Sequence, residues 1–254
     1  MIELSGKHAL ITGGGSGIGA AIAGAFAEAG ASVTIIGRRR EPLDAVAAAA
    51  PTIAGIVADV TDEVSLAGAF RQAVKARGPV SIVVANAGMA ESAPFARTSL
   101  EDFQRVVLAN LTGTFLTLRE GLKAMQGSGW GRLVAVASVA GLKGYPYVAP
   151  YCAAKHGVVG LVRSLAMEVA GSGITVNAVC PGYTESPMLE QSVRRIVEKT
   201  GRSEHEARKT LAGMNPGGHL VMPDEIADIV LRLCLPEANE TTGQAIQVPE
   251  GAAR

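Results

Sequence analysis

The chain has 254 residues, 48% hydrophobic but only 4% aromatic, with 23 basic and 23 acidic side chains and a formal net charge of +0. That length suits one large α/β domain, and a core of Ala, Val, Ile and Leu suits buried parallel strands. The charge balance argues against nucleic acid as a partner. No apolar run reaches the roughly 20 residues of a membrane span. The opening residues 1–6 read as neither a signal peptide nor a lipid-anchoring motif. Three cysteines (Cys152, Cys180, Cys234) without a C-x-x-C pattern predict free buried thiols in a reducing, cytoplasmic setting. The four histidines form no ligand-spaced cluster, so no metal is expected.

Residues 7–12 read as a first strand, followed by Gly13-Gly14-Gly15-Ser16-Gly17-Ile18-Gly19 and a helical run over 20–29. Strand, glycine turn and helix is the context a dinucleotide fingerprint needs. Glycines let backbone N–H groups approach a pyrophosphate, and the helix N-terminus adds partial positive charge. Gly13, Gly15, Ser16, Gly17, Ile18 and Gly19 are therefore the candidate phosphate contacts. A second strand spans 32–37. A site for NAD places a carboxylate about 20 residues past the glycines to accept from the ribose 2′-OH. This chain has Gly37-Arg38-Arg39-Arg40 instead. Arg38 and Arg39 suit a 2′-phosphate, which favours NADP(H). NAD(H) remains the alternative if the basic turn is only solvated.

A helix is expected over 41–50, a third strand over 53–58 ending at Asp59-Val60, and a helix over 62–77 capped by Thr61. A fourth strand over 79–85 ends in Asn86-Ala87-Gly88. One helix is expected over 99–126, with Asn110, a poor interior helix residue, inside it. The apolar run 133–137 reads as a fifth, buried strand with Ser138 at its carboxyl end, where ligands of open α/β sheets bind. Tyr151 and Lys155 are i and i+4 on a helix over 151–170 and share a face. An ammonium beside a phenol favours the phenolate, so Lys155 is expected to lower the Tyr151 pKa. With the Ser138 hydroxyl these groups form a proton donor and acceptor for carbonyl/alcohol interconversion. Strand six spans 174–180 and ends in Pro181-Gly182. A polar, helical stretch over 186–213 interrupts the alternation before a helix at 223–235 and a short strand at 245–248. The pattern predicts one domain over 1–254, an α/β doubly wound Rossmann fold of about seven parallel strands flanked by helices.

Taken together, Thr12-Gly13-x-x-x-Gly17-x-Gly19, Asp59-Val60, Asn86-Ala87-Gly88, Asn110, Ser138, Tyr151-x-x-x-Lys155 and Pro181-Gly182 resemble the classical short-chain dehydrogenase/reductase family across essentially the whole chain. The resemblance implies that Tyr151 is the general acid/base and that Lys155 lowers its pKa and holds the nicotinamide ribose. It implies that Ser138 orients the substrate oxygen and that Asn110 anchors a water-linked proton relay. Asp59 and Val60 are implied beside the adenine, with Asn86, Ala87 and Gly88 along the cofactor. Pro181 and Gly182, with Thr184 and Ser186, are implied at the carboxamide, and 186–213 as a substrate lid. A small ketone or secondary alcohol is the implied substrate, by broad similarity a 3-oxoacyl or 3-hydroxyacyl thioester, and a homotetramer or dimer the implied assembly. A degradative NAD-linked alcohol dehydrogenase and a non-catalytic dinucleotide-binding regulator are the rivals; the intact Ser138, Tyr151 and Lys155 argue against the second. Candidate pocket liners are Met89, Tyr145, Tyr147, Tyr183, Met188 and Leu189. The lid cations Arg194, Arg195, Lys199, Arg202, Arg208 and Lys209 read either as a solvated face or as contacts for a phosphopantetheine or CoA-type thioester. The family's usual Gly-Gly after the last strand is replaced here by Glu250-Gly251-Ala252-Ala253-Arg254.

Overall fold

The structure, a computed structural model, describes residues 4–248; the departure at 250–254 lies outside them. Seven strands form one parallel sheet in the order β3-β2-β1-β4-β5-β6-β7. They are β1 (His8–Thr12), β2 (Ser32–Gly37), β3 (Ile53–Val57), β4 (Ile82–Ala85), β5 (Gly131–Val136), β6 (Ile174–Cys180) and β7 (Ala245–Gln247). Chain order reverses between β1 and β4, so a crevice opens above their carboxyl ends. Strands β1, β4, β5 and β6 are buried throughout, as their continuous apolar runs require when helices cover both faces.

Helices α1 (Gly17–Glu28), α2 (Arg40–Ala47) and α9 (Pro223–Arg232) cover one face. Helices α3 (Glu63–Arg77), α5 (Gly113–Met125) and α6 (Ala149–Glu168) cover the other, and α4 (Leu100–Val107) packs against α6. Helices α7 (Pro187–Thr200) and α8 (Glu204–Ala212) occupy the stretch expected to be the lid and enclose a small core of their own, Leu189, Val193, Ala207 and Leu211. Local signals set these ends. Ser186 caps α7 ahead of Pro187, and Ser203 with Glu206 forms a capping box on α8.

Three expectations are corrected. Helix α1 begins at Gly17 rather than residue 20, so Gly17 and Gly19 lie in its first turn. The cap of α3 is Asp62, whose carboxylate accepts from Val64 and Ser65 N–H, while Thr61 bonds back to Asp59. The expected helix over 99–126 is interrupted by a π-helical turn, Leu108–Thr112. Asn110 causes the break: its amide donates to Val106 O at 2.8 Å and Thr114 Oγ1 donates to Asn110 O at 2.7 Å. The inserted residue turns the Asn110 side chain out of the helix towards the end of β4.

Candidate active site

The glycine turn is shaped by close approach. A Cβ at Gly19 would lie 2.3 Å from Gly13 O and 2.6 Å from Asn86 Nδ2. No side chain fits there, so the start of α1 packs directly on the turn. Asn86 Nδ2 donates to Thr12 O at 3.0 Å and to Gly13 O at 3.3 Å. Thr12 Oγ1 accepts from the backbone N–H of Asn86 and Ala87. This hydroxyl, from the first residue of the glycine motif, is a joint at the sheet's reversal point.

The residues fit a dinucleotide. Ser16 precedes α1 in extended backbone, makes no side-chain cap and is exposed, and the first turn carries no acidic residue. The first N–H groups of α1 are thus left for an anion. A Cβ at Gly15 would lie 3.1 Å from Pro42 Cβ in α2, so Arg38 and Arg39, both exposed, stand beside the phosphate turn. At the end of β3, Asp59 Oδ1 is taken up by Thr61, and a Cβ at Gly113 would meet Val60 Cγ2 at 2.8 Å.

Across the crevice, Ser138 follows β5 and its Oγ accepts from Ala140 N at 3.1 Å and approaches Pro181 O at 3.4 Å. Lys155 is 3% exposed, and its Nζ donates to Val136 O at 2.8 Å and lies 5.5 Å from the Tyr151 ring centroid. A Cβ at Gly88 would sit 2.5 Å from Asn110 Oδ1 and 3.8 Å from Lys155 Nζ. Asn110, Gly88, Lys155 and Tyr151 therefore converge. Asn110 is completely buried; its amide also donates to Met89 O at 2.7 Å and its Oδ1 accepts from Met89 N at 3.2 Å.

The expected depression of the Tyr151 pKa is corrected. Burial pushes it up to about 12, and the Ser138 hydroxyl beside it only partly opposes that. Burial pushes Lys155 down to about 8. Desolvation disfavours the charged form of each, and here it outweighs an ammonium whose hydrogen bond goes to a carbonyl. The phenol is protonated across the neutral range.

Lid and wall complete the site. Ser186 caps α7 and donates to Thr184 O at 3.1 Å, and a Cβ at Gly17 would approach the Ser186 Cβ at 3.4 Å. The lid root thus rests on the phosphate turn. Asn215, which sequence reasoning missed, is buried and clamps this root: its Nδ2 donates to Tyr183 O and His219 O, and its Oδ1 accepts from Tyr183 N. The run Asn215-Pro216-Gly217-Gly218 is a turn signal that could have drawn attention to it. Tyr145 and Tyr183 meet edge to face, 6.3 Å between centroids. Tyr147 is 65% exposed with a left-handed φ of 68°. Leu189, expected in the pocket, belongs to the lid core instead, because its position on α7 faces α8.

A parallel sheet reversing at a glycine-turn crevice, with Ser, Tyr and Lys at the ends of neighbouring elements, defines a nicotinamide-dependent oxidoreductase acting on a carbonyl/alcohol pair. Residues 7–196 match the family described as short chain dehydrogenase, and the chain belongs to it. A putative ketoacyl reductase of Streptomyces coelicolor is 37% identical, covering 99% of this chain and 98% of its own. The D-beta-hydroxybutyrate dehydrogenase of Rhizobium meliloti is 32% identical, covering 96% and 98%. An actinorhodin polyketide ketoreductase solved with NADPH superposes with a TM-score of 0.92 at 36% identity, covering 96% of each chain. Among the described residues no helix is long and apolar enough to cross a membrane.

Proposed function

We propose that this chain, acting as one dinucleotide-binding catalytic domain with a lid over 186–213, reduces the ketone of a 3-oxoacyl thioester or related compound with NADP(H). The observation that carries the reading is the convergence of Ser138, Tyr151 and Lys155 at the carboxyl ends of β5 and β6. Relatives named as ketoacyl reductases support the substrate class. The Arg38–Arg39 turn beside Gly15 supports NADP(H). Gly13, Gly15 to Gly19, Asp59, Val60, Asn86 to Gly88, Pro181, Gly182, Thr184 and Ser186 hold the dinucleotide. The bound cofactor supplies the hydride. Ser138 Oγ holds the substrate oxygen, and Tyr151 donates its proton to that oxygen. The phenolate so formed gains the nearby Lys155 charge, present below about pH 8. Asn110 anchors the path along which the proton is restored from solvent. An NAD-linked secondary alcohol dehydrogenase is the second reading, supported by the hydroxybutyrate relative.

Assembly as a homotetramer through α4–α5 and α6 is part of the proposal. A shallow apolar groove runs between Leu111, Phe115, Gly157, Gly160 and Leu161. A Cβ at Gly160 would meet nothing within 4 Å, so packing within the chain does not require glycine there. The free buried thiols suit a reducing compartment such as the cytoplasm. The test is Tyr151→Phe: NADPH-dependent ketone reduction is expected to fall by about 10²–10⁴-fold, while NADPH binding, read by cofactor fluorescence, stays within about twofold. Turnover near wild type would overturn the assignment.

A further inference from the structure

Three consecutive residues of the loop after β4 each tie down a different wall of the mouth. Glu91 receives Arg105 of α4 through Nε at 3.3 Å and Nη2 at 2.8 Å, and Arg105 also pairs with Asp102. Ala93 N–H donates to Tyr147 O at 2.8 Å, joining the loop to the 141–148 wall. Ser92 Oγ accepts from Arg195 Nη1 of α7 at 3.5 Å, joining it to the lid. The first tie is a two-pronged ion pair and the second a short backbone bond. The third is long, and its acceptor is a neutral hydroxyl.

Arg195 is also the cation in this cluster that lacks a countercharge. Arg105 holds Glu91 and Asp102, and the lid's Arg208 holds Glu185 and Glu190. Among the described residues no carboxylate lies within 4.0 Å of Arg195, although it is half-buried. Arg195 has no buried unpartnered nitrogen, so its remaining N–H groups face solvent, where an anionic oxygen is a stronger acceptor than Ser92. On the same loops Phe95 and Tyr147 expose their rings, which offers apolar surface beside the cation.

We propose that Arg195 is a specificity-determining residue that reads an anionic oxygen group, phosphate or carboxylate, carried by the ketone substrate, exchanging Ser92 for that group as the lid settles. The proposal rests on the ketone-reductase reading. It assigns the lid a charge preference. The other lid cations need not share in it; Arg194, next in sequence, is exposed and makes no ion pair among the described residues.

The experiment measures KM and kcat at saturating NADPH for three probes: acetoacetyl-CoA, which carries phosphates, acetoacetate, which carries a carboxylate, and neutral ethyl acetoacetate. Arg195→Gln removes the charge and leaves a shorter, neutral amide that no longer reaches Ser92. It is expected to raise KM for an anionic probe about tenfold or more, the scale of one charge-assisted hydrogen bond, and to leave ethyl acetoacetate within about twofold. The probe that moves identifies phosphate or carboxylate. Arg195→Lys should recover part of the loss, and Arg194→Gln should leave the ratio between probes unchanged. Equal shifts for all three probes, or none, would overturn the assignment, because packing alone does not discriminate charge. Wild-type turnover of ethyl acetoacetate keeps the reductase reading intact whatever Arg195 does; turnover of none of the three overturns both.

Discussion

Replacing Asn110 removes three side-chain hydrogen bonds at once: the amide's bonds to Met89 O and Val106 O, and the one its Oδ1 accepts from Met89 N. At about 1 kcal/mol each, Asn110→Ala should cost about 3 kcal/mol. The buried Val106 carbonyl, left without that donor, adds to the loss. For a chain of this size that corresponds to a fall of about 6–10 °C in apparent Tm, read by circular dichroism. Asn110→Asp keeps the acceptor and loses both neutral donors. At pH 8 its carboxylate would face two carbonyl oxygens, and the nearby Lys155 Nζ is already engaged by Val136 O. The aspartate's folded pKa is therefore raised above its unfolded value. The penalty is present at high pH and fades as pH falls through that folded value, because the neutral acid can again donate one bond. The aspartate variant should be no more stable than the alanine variant at pH 8 and should gain on it towards pH 5. An aspartate variant as stable as wild type at pH 8 would refute the view that this amide holds the π turn to the end of β4.

Two further outcomes are expected. Arg38→Asp should weaken NADPH binding about tenfold or more relative to NADH, measured by cofactor fluorescence; an unchanged ratio would remove Arg38 from the 2′-phosphate site and favour the NAD-linked reading. His8 is buried and neutral, bonded to Gly78 O at 2.9 Å and Thr34 Oγ1 at 2.8 Å, with its pKa lowered first by burial and further by the charge of Arg77. Its folded pKa lies below the unfolded value of about 6.5, so its contribution is complete above that pH and is lost as pH falls further. The melting temperature should drop between pH 7 and 5 by more in wild type than in His8→Gln, and parallel curves would contradict this.

Much of this architecture can be read from the chain. The bounds of β2 and β6 follow from apolar runs closed by glycine or proline, and the glycine turn, Ser138, Tyr151 and Lys155 fall where strand ends and helical spacing put them. What escapes the sequence depends on three-dimensional surroundings. Tyr151 and Lys155 look like a phenolate pair at i and i+4, yet the sign of the Tyr151 shift is set by burial that no spacing reports. Leu189 resembles a pocket residue until α8 closes over it. Thr61 and Asp62 are both plausible caps, and which one acts was decided by Asp59 capturing the threonine. The Arg195–Ser92 contact joins positions 103 residues apart, a separation at which no local pattern carries information.

The reversal of strand order between β1 and β4 has a consequence for how such a chain can change. The groups proposed to sense the cofactor's 2′ position, Arg38 and Arg39, belong to the half of the sheet on one side of the crevice. The loops after β4 and β5 and the lid, which face the substrate, belong to the other. Arg38 and Arg39, at the end of β2, are separated from those loops by β1 in the sheet order, and distant, unconnected sites combine nearly additively. On the proposed function, dinucleotide preference and substrate preference are thus separable traits in this molecule. A lineage, or an engineer, can exchange one while leaving the other in place.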